Sequence, residues 1–163
     1  MDTVQLDTVK IVSDPGLLPD PGQTPAVDAF RSERVTLDRA MRITPFRILE
    51  PRLSPRLNLV SVTRSSIAAS GQTTTITSMY EDGAQRWVAF TQFGIKPTTC
   101  FVLDALEETR VGDHPAAISR KAHTVPAKPE MLTLFWEQDG SLVQARSNGI
   151  SKEELSAIAA SLA

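Results

Sequence analysis

The chain has few of the residues that carry most protein chemistry. It has one cysteine, Cys100, in 163 residues. A single thiol forms no internal disulfide and cannot supply the several thiolates of the common structural zinc sites. Histidine is nearly as scarce, with only His114 and His123. Neither has a spaced partner resembling a metal set, and no Gly-x-Ser-x-Gly elbow exists to join a histidine in a triad. The eight glycines are dispersed, mostly in turns, so none forms a phosphate-cradling loop. The acidic pairs Glu81-Asp82 and Glu153-Glu154 belong to a turn and a helix start, and with Glu107-Glu108 they give no sign of a glycosidase carboxylate pair. No apolar run approaches the roughly 20 residues of a membrane-spanning helix. The opening MDTVQLDTVK has neither the basic start nor the apolar run of a signal peptide.

Charge gives no direction either. Seventeen basic and 19 acidic residues leave a formal charge of −2, and the basic ones are scattered, which argues against a nucleic-acid footprint. Arg31, Arg34, Arg39 and Arg42 gather near a predicted helix, but Glu33 and Asp38 are interleaved with them, the pattern of a solvated face. Hydrophobic residues make up 41% and charged residues 22%, so the chain is an ordinary globular one, long enough for a single domain with a real core. A core of this size can suffice without disulfides, so the lone cysteine leaves the compartment open. Cys100, between Thr98-Thr99 and Phe101-Val102, reads as a small apolar filler and not as a nucleophile. No catalytic, metal or cofactor-binding residue is assigned, and binding or sensing is favoured over catalysis by exclusion.

The strongest positive signals lie between Met131 and Ala163. Asp139-Gly140 between two apolar runs predicts a hairpin with a type I′ turn. That register sets Trp136 opposite Val143 and Leu134 opposite Ala145, with Leu132 further along the same apolar, core-facing side. The other side carries Thr133, Phe135 and Glu137 against Leu142, Gln144 and Arg146, a mixed face expected to be wetted. Ser151 to Glu154 then reads as a capping box, in which each side chain reaches the other's amide. Ile150 and Leu155 complete a hydrophobic staple, and Leu155, Ile158, Ala159 and Leu162 make one helical stripe.

Upstream, residues 4–12 alternate as an edge strand through Val4, Leu6, Val9 and Ile11. Residues 13–25 hold four prolines and two Pro-Gly dipeptides, so residues 1–25 read as an N-terminal strand or linker. Residues 26–163 are read as one domain. Within it, residues 26–43 are expected to be mainly helical, restarting after Val35 at Thr36 and stopped by Pro45. Short strands follow at 46–49 and 57–63, then a polar, loop-like stretch at 65–72 in which Ile67-Ala68-Ala69 could extend a strand. Residues 73–80 and 86–93 form a second hairpin around Asp82-Gly83, and 96–105 a connection. Residues 109–111 and 116–120 bracket a turn at Gly112-Asp113-His114-Pro115, and 122–130 form a proline-containing loop. Strand after strand joined by short turns, with helices at both ends, gives an α+β class: a curved antiparallel sheet of hairpins, with an N-terminal helix and a C-terminal capped helix packed on one face.

Several pieces in this order resemble a known pattern. They are Leu37-Asp38-Arg39-Ala40 leading into Pro45-Phe46-Arg47-Ile48-Leu49-Glu50-Pro51, then Leu53-Ser54-Pro55 and the strand from Leu57 to Val62. The hairpin from Tyr80 to Gln92, the turn from Val111 to Ile118, Leu134-Phe135-Trp136-Glu137 and Gly149-Ile150-Ser151-Lys152-Glu153-Glu154-Leu155 follow. Together they resemble an uncharacterised bacterial domain family found in anti-sigma-factor ectodomains, sporulation-related proteins and lipoproteins. The match covers roughly residues 36–163. It departs from the family where Ser54 separates leucine from proline.

The resemblance implies a non-enzymatic extracytoplasmic sensor or binding domain of a membrane-tethered regulator or lipoprotein. Its membrane attachment would lie in an upstream helix or lipid. A lipid, a peptide or an envelope protein is the implied partner, and nucleic acid is not. In a concave sheet of that kind Trp87, Phe135 and Trp136 are the candidate ligand-lining residues, with core filling as the competing role of the tryptophans. The family has no known catalytic residues to carry over. A structural or envelope-assembly interaction domain is the second reading, and a small hydrolase the third. Either Met1 starts a trimmed piece of a longer anchored chain, or the protein is cytosolic.

Overall fold

A computed structural model describes residues 2–14, 30–52, 57–67, 73–83, 85–121 and 131–163. Along them run β1 (Asp2–Gln5), β2 (Lys10–Ser13), β3 (Phe30–Val35), α1 (Leu37–Ile43), β4 (Asn58–Ile67), β5 (Thr73–Glu81), β6 (Trp87–Phe93), β7 (Thr99–Val102), β8 (Ala105–Val111), β9 (His114–Lys121), β10 (Met131–Gln138), β11 (Ser141–Asn148) and α2 (Lys152–Ala160). Eight strands make one antiparallel sheet in the order β3-β4-β5-β6-β11-β10-β9-β8, and β1-β2-β7 make a small mixed sheet.

The closing segment folds as its local chemistry requires. Asp139 and Gly140 both take positive φ, 51° and 76°, as a type I′ turn demands. The pairing is Trp136 with Val143, Leu134 with Ala145 and Leu132 with Ser147. None of these six residues exceeds 2% exposure. Ser151 Oγ accepts from the Glu154 amide at 3.2 Å and caps α2. The reciprocal arm of the expected capping box is absent. Glu154 Oε2 accepts instead from Arg86 Nη1 at 2.9 Å, while Arg86 Nε donates to Asp82 at 2.7 Å. The Arg86 stem also lies over Gly149, where an added Cβ would come within 3.0 Å of Arg86 Cγ. One arginine thus fastens the β5–β6 turn to the start of α2.

One face of the large sheet carries most of the core. Val62, Ser78, Phe90, Ala145 and Leu134 lie in register across five strands, so they share that face. Leu155, Ile158 and Ala159 of α2, and Leu162 just after it, pack there against Trp136, Val88, Phe90 and Ile118. Ala40 of α1 packs at the other end with Ile48, Val62 and Ile76. Between the two helices the chain at 47–52 is held by Gln92. Its Oε1 accepts from the Leu49 amide at 2.8 Å and its Nε2 donates to the Arg47 carbonyl at 2.9 Å. Glu50 and Ala163 exchange a further pair of backbone hydrogen bonds.

Five expectations are corrected. Residues 46–49 form no strand, because the Gln92 side-chain amide takes the place of a neighbouring strand. The N-terminal helix begins only at Leu37, capped by Thr36 Oγ1. Residues 30–35 pair with β4 as the edge of the sheet, where Glu33 meets Arg64 at 3.0 Å across the ladder. The single strand at 4–12 is a hairpin, and the connection at 96–105 contains β7, which runs parallel to β2. Residues 65 and 66 continue β4 where a loop was expected, and Ile67, where a strand extension was the alternative, ends that strand. The expectations for 15–29, 53–56, 68–72 and 122–130, His123 included, fall outside the described residues.

Gly140 has open space where a Cβ would be, so its constraint is conformational alone. Gly140→Val should lower the melting temperature by roughly 3–10 °C, from about 1–3 kcal/mol of backbone strain. An unchanged thermal denaturation curve would refute the turn's importance.

Candidate functional site

The second face of the large sheet holds the residues that alternate with the core. The expected wetted face is half correct. Near the Asp139–Gly140 turn, Phe135, Leu142 and Ala117 are buried beneath the small sheet, against Val4, Leu6, Val9 and Ile11. Each of those four side chains contributes about 1.5–3 kcal/mol by leaving water. Further from the turn, Thr133 and Gln144 are half-buried and Arg146 is exposed.

Glu137, 5% exposed, holds the small sheet in place. Its Oε2 accepts from the Thr8 amide at 2.6 Å and the Val9 amide at 3.1 Å. Its Oε1 accepts from Thr8 Oγ1 and from Lys96 Nζ, the latter at 3.1 Å. These donors come from the turn that joins β1 to β2 and from the chain just before β7. Burial alone would raise the carboxyl's pKa. The hydrogen bonds from Thr8, Val9 and Lys96 outweigh burial and bring it from 4.5 down to about 2.

A groove of about 500 Å³ opens where β7 meets the uncovered part of this face. Cys100 to Asp104 form one wall. Thr133, Phe135 and Gln144 lie along its floor, and Ser119, Lys121, Met131 and Arg146 complete it. Cys100 and Val102 turn toward the small sheet's apolar cluster, whereas Phe101 and Leu103 are 59% and 48% exposed. Burial pushes the Cys100 thiol's pKa up, which disfavours its thiolate form. The Lys121 and Arg146 side chains form no ion pair or hydrogen bond with any described residue.

Of the residues expected to line a ligand site, Phe135 lies in the groove. Trp136 has no exposed surface and donates through Nε1 to Gln138 Oε1 at 2.9 Å, inside the core on the opposite face. Trp87 is half-buried on the groove's face, in the same cross-strand row as Met131 with Asn148 between them, but outside the groove. Sequence reasoning missed the Cys100–Asp104 wall and the two cations. The signal for the wall was present: Thr99-Cys100-Phe101-Val102 is a β-branched and aromatic run. The cations gave none, since only pairing brings Lys121 and Arg146 to one place.

A second hollow of about 380 Å³ lies at the start of α2, lined by Arg120, Leu132, Gly149, Ile150 and Ser151 to Glu153. Its cations are already matched, Arg120 and Lys152 both facing Glu107 at 3.3 and 3.7 Å. Among the described residues no three of His, Cys, Asp and Glu gather as a metal site would require. His114 begins β9, after a turn in which Gly112 takes φ 57°.

The lowered pKa of Glu137 has a defined consequence for stability. A carboxyl at about 2 in the folded chain and about 4.5 when unfolded contributes about 3 kcal/mol. That contribution is complete above the unfolded value and is lost as pH falls from about 4.5 through about 2. Glu137→Gln should therefore be destabilised at pH 7 and show a flatter fall in stability between pH 5 and 2.5. Urea denaturation of both proteins across that range is the check, and parallel curves would remove Glu137 from the account.

Comparison with protein-family models, with curated proteins and with solved structures finds no match to this chain, so its function is read from the groove itself.

Proposed function

We propose that this is a binding domain that takes an amphipathic, anionic ligand into the groove between β7 and the large sheet. Its setting is the extracytoplasmic one that the sequence resemblance implies, as part of a tethered sensor or lipoprotein. The observation that carries the reading is the pairing of an apolar wall and floor with two cations that have no counter-ion among the described residues. Phe101, Val102, Leu103 and Phe135 offer apolar surface, and Lys121 and Arg146 stand beside it. Against them the lining has one carboxylate, Asp104. Such a mixture retains a molecule that is greasy along its length and negative at one point. Burial disfavours the thiolate form of the groove's thiol, which suits holding a ligand more than attacking one.

Anilinonaphthalene sulfonate, an apolar anion, is a suitable probe. It should bind saturably at one site, and added salt should weaken it because the cations are exposed. Joint replacement Lys121→Glu and Arg146→Glu should weaken it at least about tenfold, the effect of losing roughly 1.4 kcal/mol of charge-assisted contact. Fluorescence titration makes the measurement. Binding that is not saturable, or that ignores the double charge reversal, would rule the groove out.

A further inference from the structure

We infer that the groove's ligand is an extended peptide, added as a further strand on the free edge of β7, with apolar side chains alternating with acidic ones. This rests on the groove being the binding site and names what enters it. The first ground is the edge itself. Among the described residues β7 pairs with β2 on one side only and ends the small sheet. The Lys10 amide donates to the Thr98 carbonyl and the Asp14 amide to the Val102 carbonyl. In a parallel ladder alternate residues bond to the same neighbour, so Thr98, Cys100 and Val102 are engaged with β2. The peptide groups of Thr99, Phe101 and Leu103 point the other way, along the groove. They form an unfilled template of donors and acceptors, which is what an added strand uses.

The second ground is how differently the chain treats its other edges. β3 carries Arg31, Glu33 and Arg34, and β8 carries Glu107, Glu108 and Arg110. Charges of that kind are the usual protection of an edge against chance pairing. β1, the small sheet's other edge, lies against β8 and β9. β7, reading Thr-Cys-Phe-Val, has no charge and no covering element among the described residues. An unprotected edge beside a groove is suited to a partner strand.

The third ground is charge complementarity, and it sets the peptide's pattern. Side chains of an added strand alternate between two faces. Those facing the large sheet would meet Thr133, Gln144 and the Lys121 and Arg146 cations, unmatched among the described residues. Carboxylates belong there. Those facing outward would lie beside Phe101 and Leu103, whose exposed side chains receive apolar groups. The four residues of β7 fit a partner of about four to six residues.

The test uses a fluorescein-labelled hexapeptide of alternating valine and glutamate. Fluorescence anisotropy is measured against the whole chain, with an alternating valine–lysine peptide for comparison. Two further versions carry N-methyl groups on one or the other set of alternate amides. The acidic peptide should bind saturably and at least tenfold more tightly than the basic one. One methylated version should lose at least tenfold and the other should bind nearly as well, because only one set of amides faces β7. On the protein side, Phe101→Pro removes an outward amide at a position where an edge strand tolerates proline. It should weaken the peptide at least tenfold beyond Phe101→Ala while leaving anilinonaphthalene sulfonate bound as in Phe101→Ala.

Equal effects of the two methylation patterns would overturn strand addition. Peptide that fails to bind while the sulfonate still does would overturn the peptide and keep the groove. Failure of both probes would overturn the groove reading itself. The methylated peptides leave the protein untouched, so a folding defect in the proline variant cannot obscure the result.

Discussion

The buried carboxylate of Glu137 is the constraint on which the protein's second face depends. A carboxylate this far from water is tolerable only when its lone pairs are filled, and the Thr8 and Val9 amides, the Thr8 hydroxyl and the Lys96 ammonium fill them. Those donors sit in the tight turn of the β1–β2 hairpin and in the approach to β7. The interaction is thus between a residue near the end of the chain and a turn near its beginning. It fixes where the small sheet sits, and the small sheet's position gives β7 its free edge above Thr133 and Phe135. The apolar contacts of Val4, Leu6, Val9 and Ile11 supply most of the adhesion. They are non-directional, and the carboxylate supplies the register.

The opposite face is organised on the same logic with a neutral group. Gln92 is buried among apolar residues and answers both the Leu49 amide and the Arg47 carbonyl. An amide side chain has one acceptor oxygen and two donor hydrogens, so it can stand in for the edge of a strand. Each face of the sheet thereby holds one irregular stretch of chain through a single buried polar side chain. The helices and the small sheet then exclude water around it, which strengthens the electrostatic part of each contact.

How legible these features were depended on the range of the interactions. Asp139-Gly140, Ser151 and the stripe from Leu155 to Leu162 act within a few residues of themselves, and the structure has them where the sequence reading put them. Glu154 shows the limit: its spacing from Ser151 was right for a capping box, yet Arg86, far away in sequence, takes its carboxylate. Residues 30–35 show it again. Their composition suits a helix, and pairing with β4 along six residues overrides that preference. The groove was the least legible feature. Phe135, one of the candidates, lies in the groove, but Lys121, Arg146 and the Cys100–Asp104 wall come from separate stretches with no shared pattern.

By itself the sequence determined the turns, the caps and the alternation of β10 and β11. These are local, since backbone dihedral preference, hydrogen bonding over three or four residues and the two-residue period of a strand need no distant partner. Only the tertiary structure decided that the mixed face is half covered, that Glu137 is a clamp and not a solvated charge, and that β7, among the described residues, pairs on one edge only. Those outcomes depend on which surfaces meet, and burial and pairing free energies between distant segments are set by the whole fold.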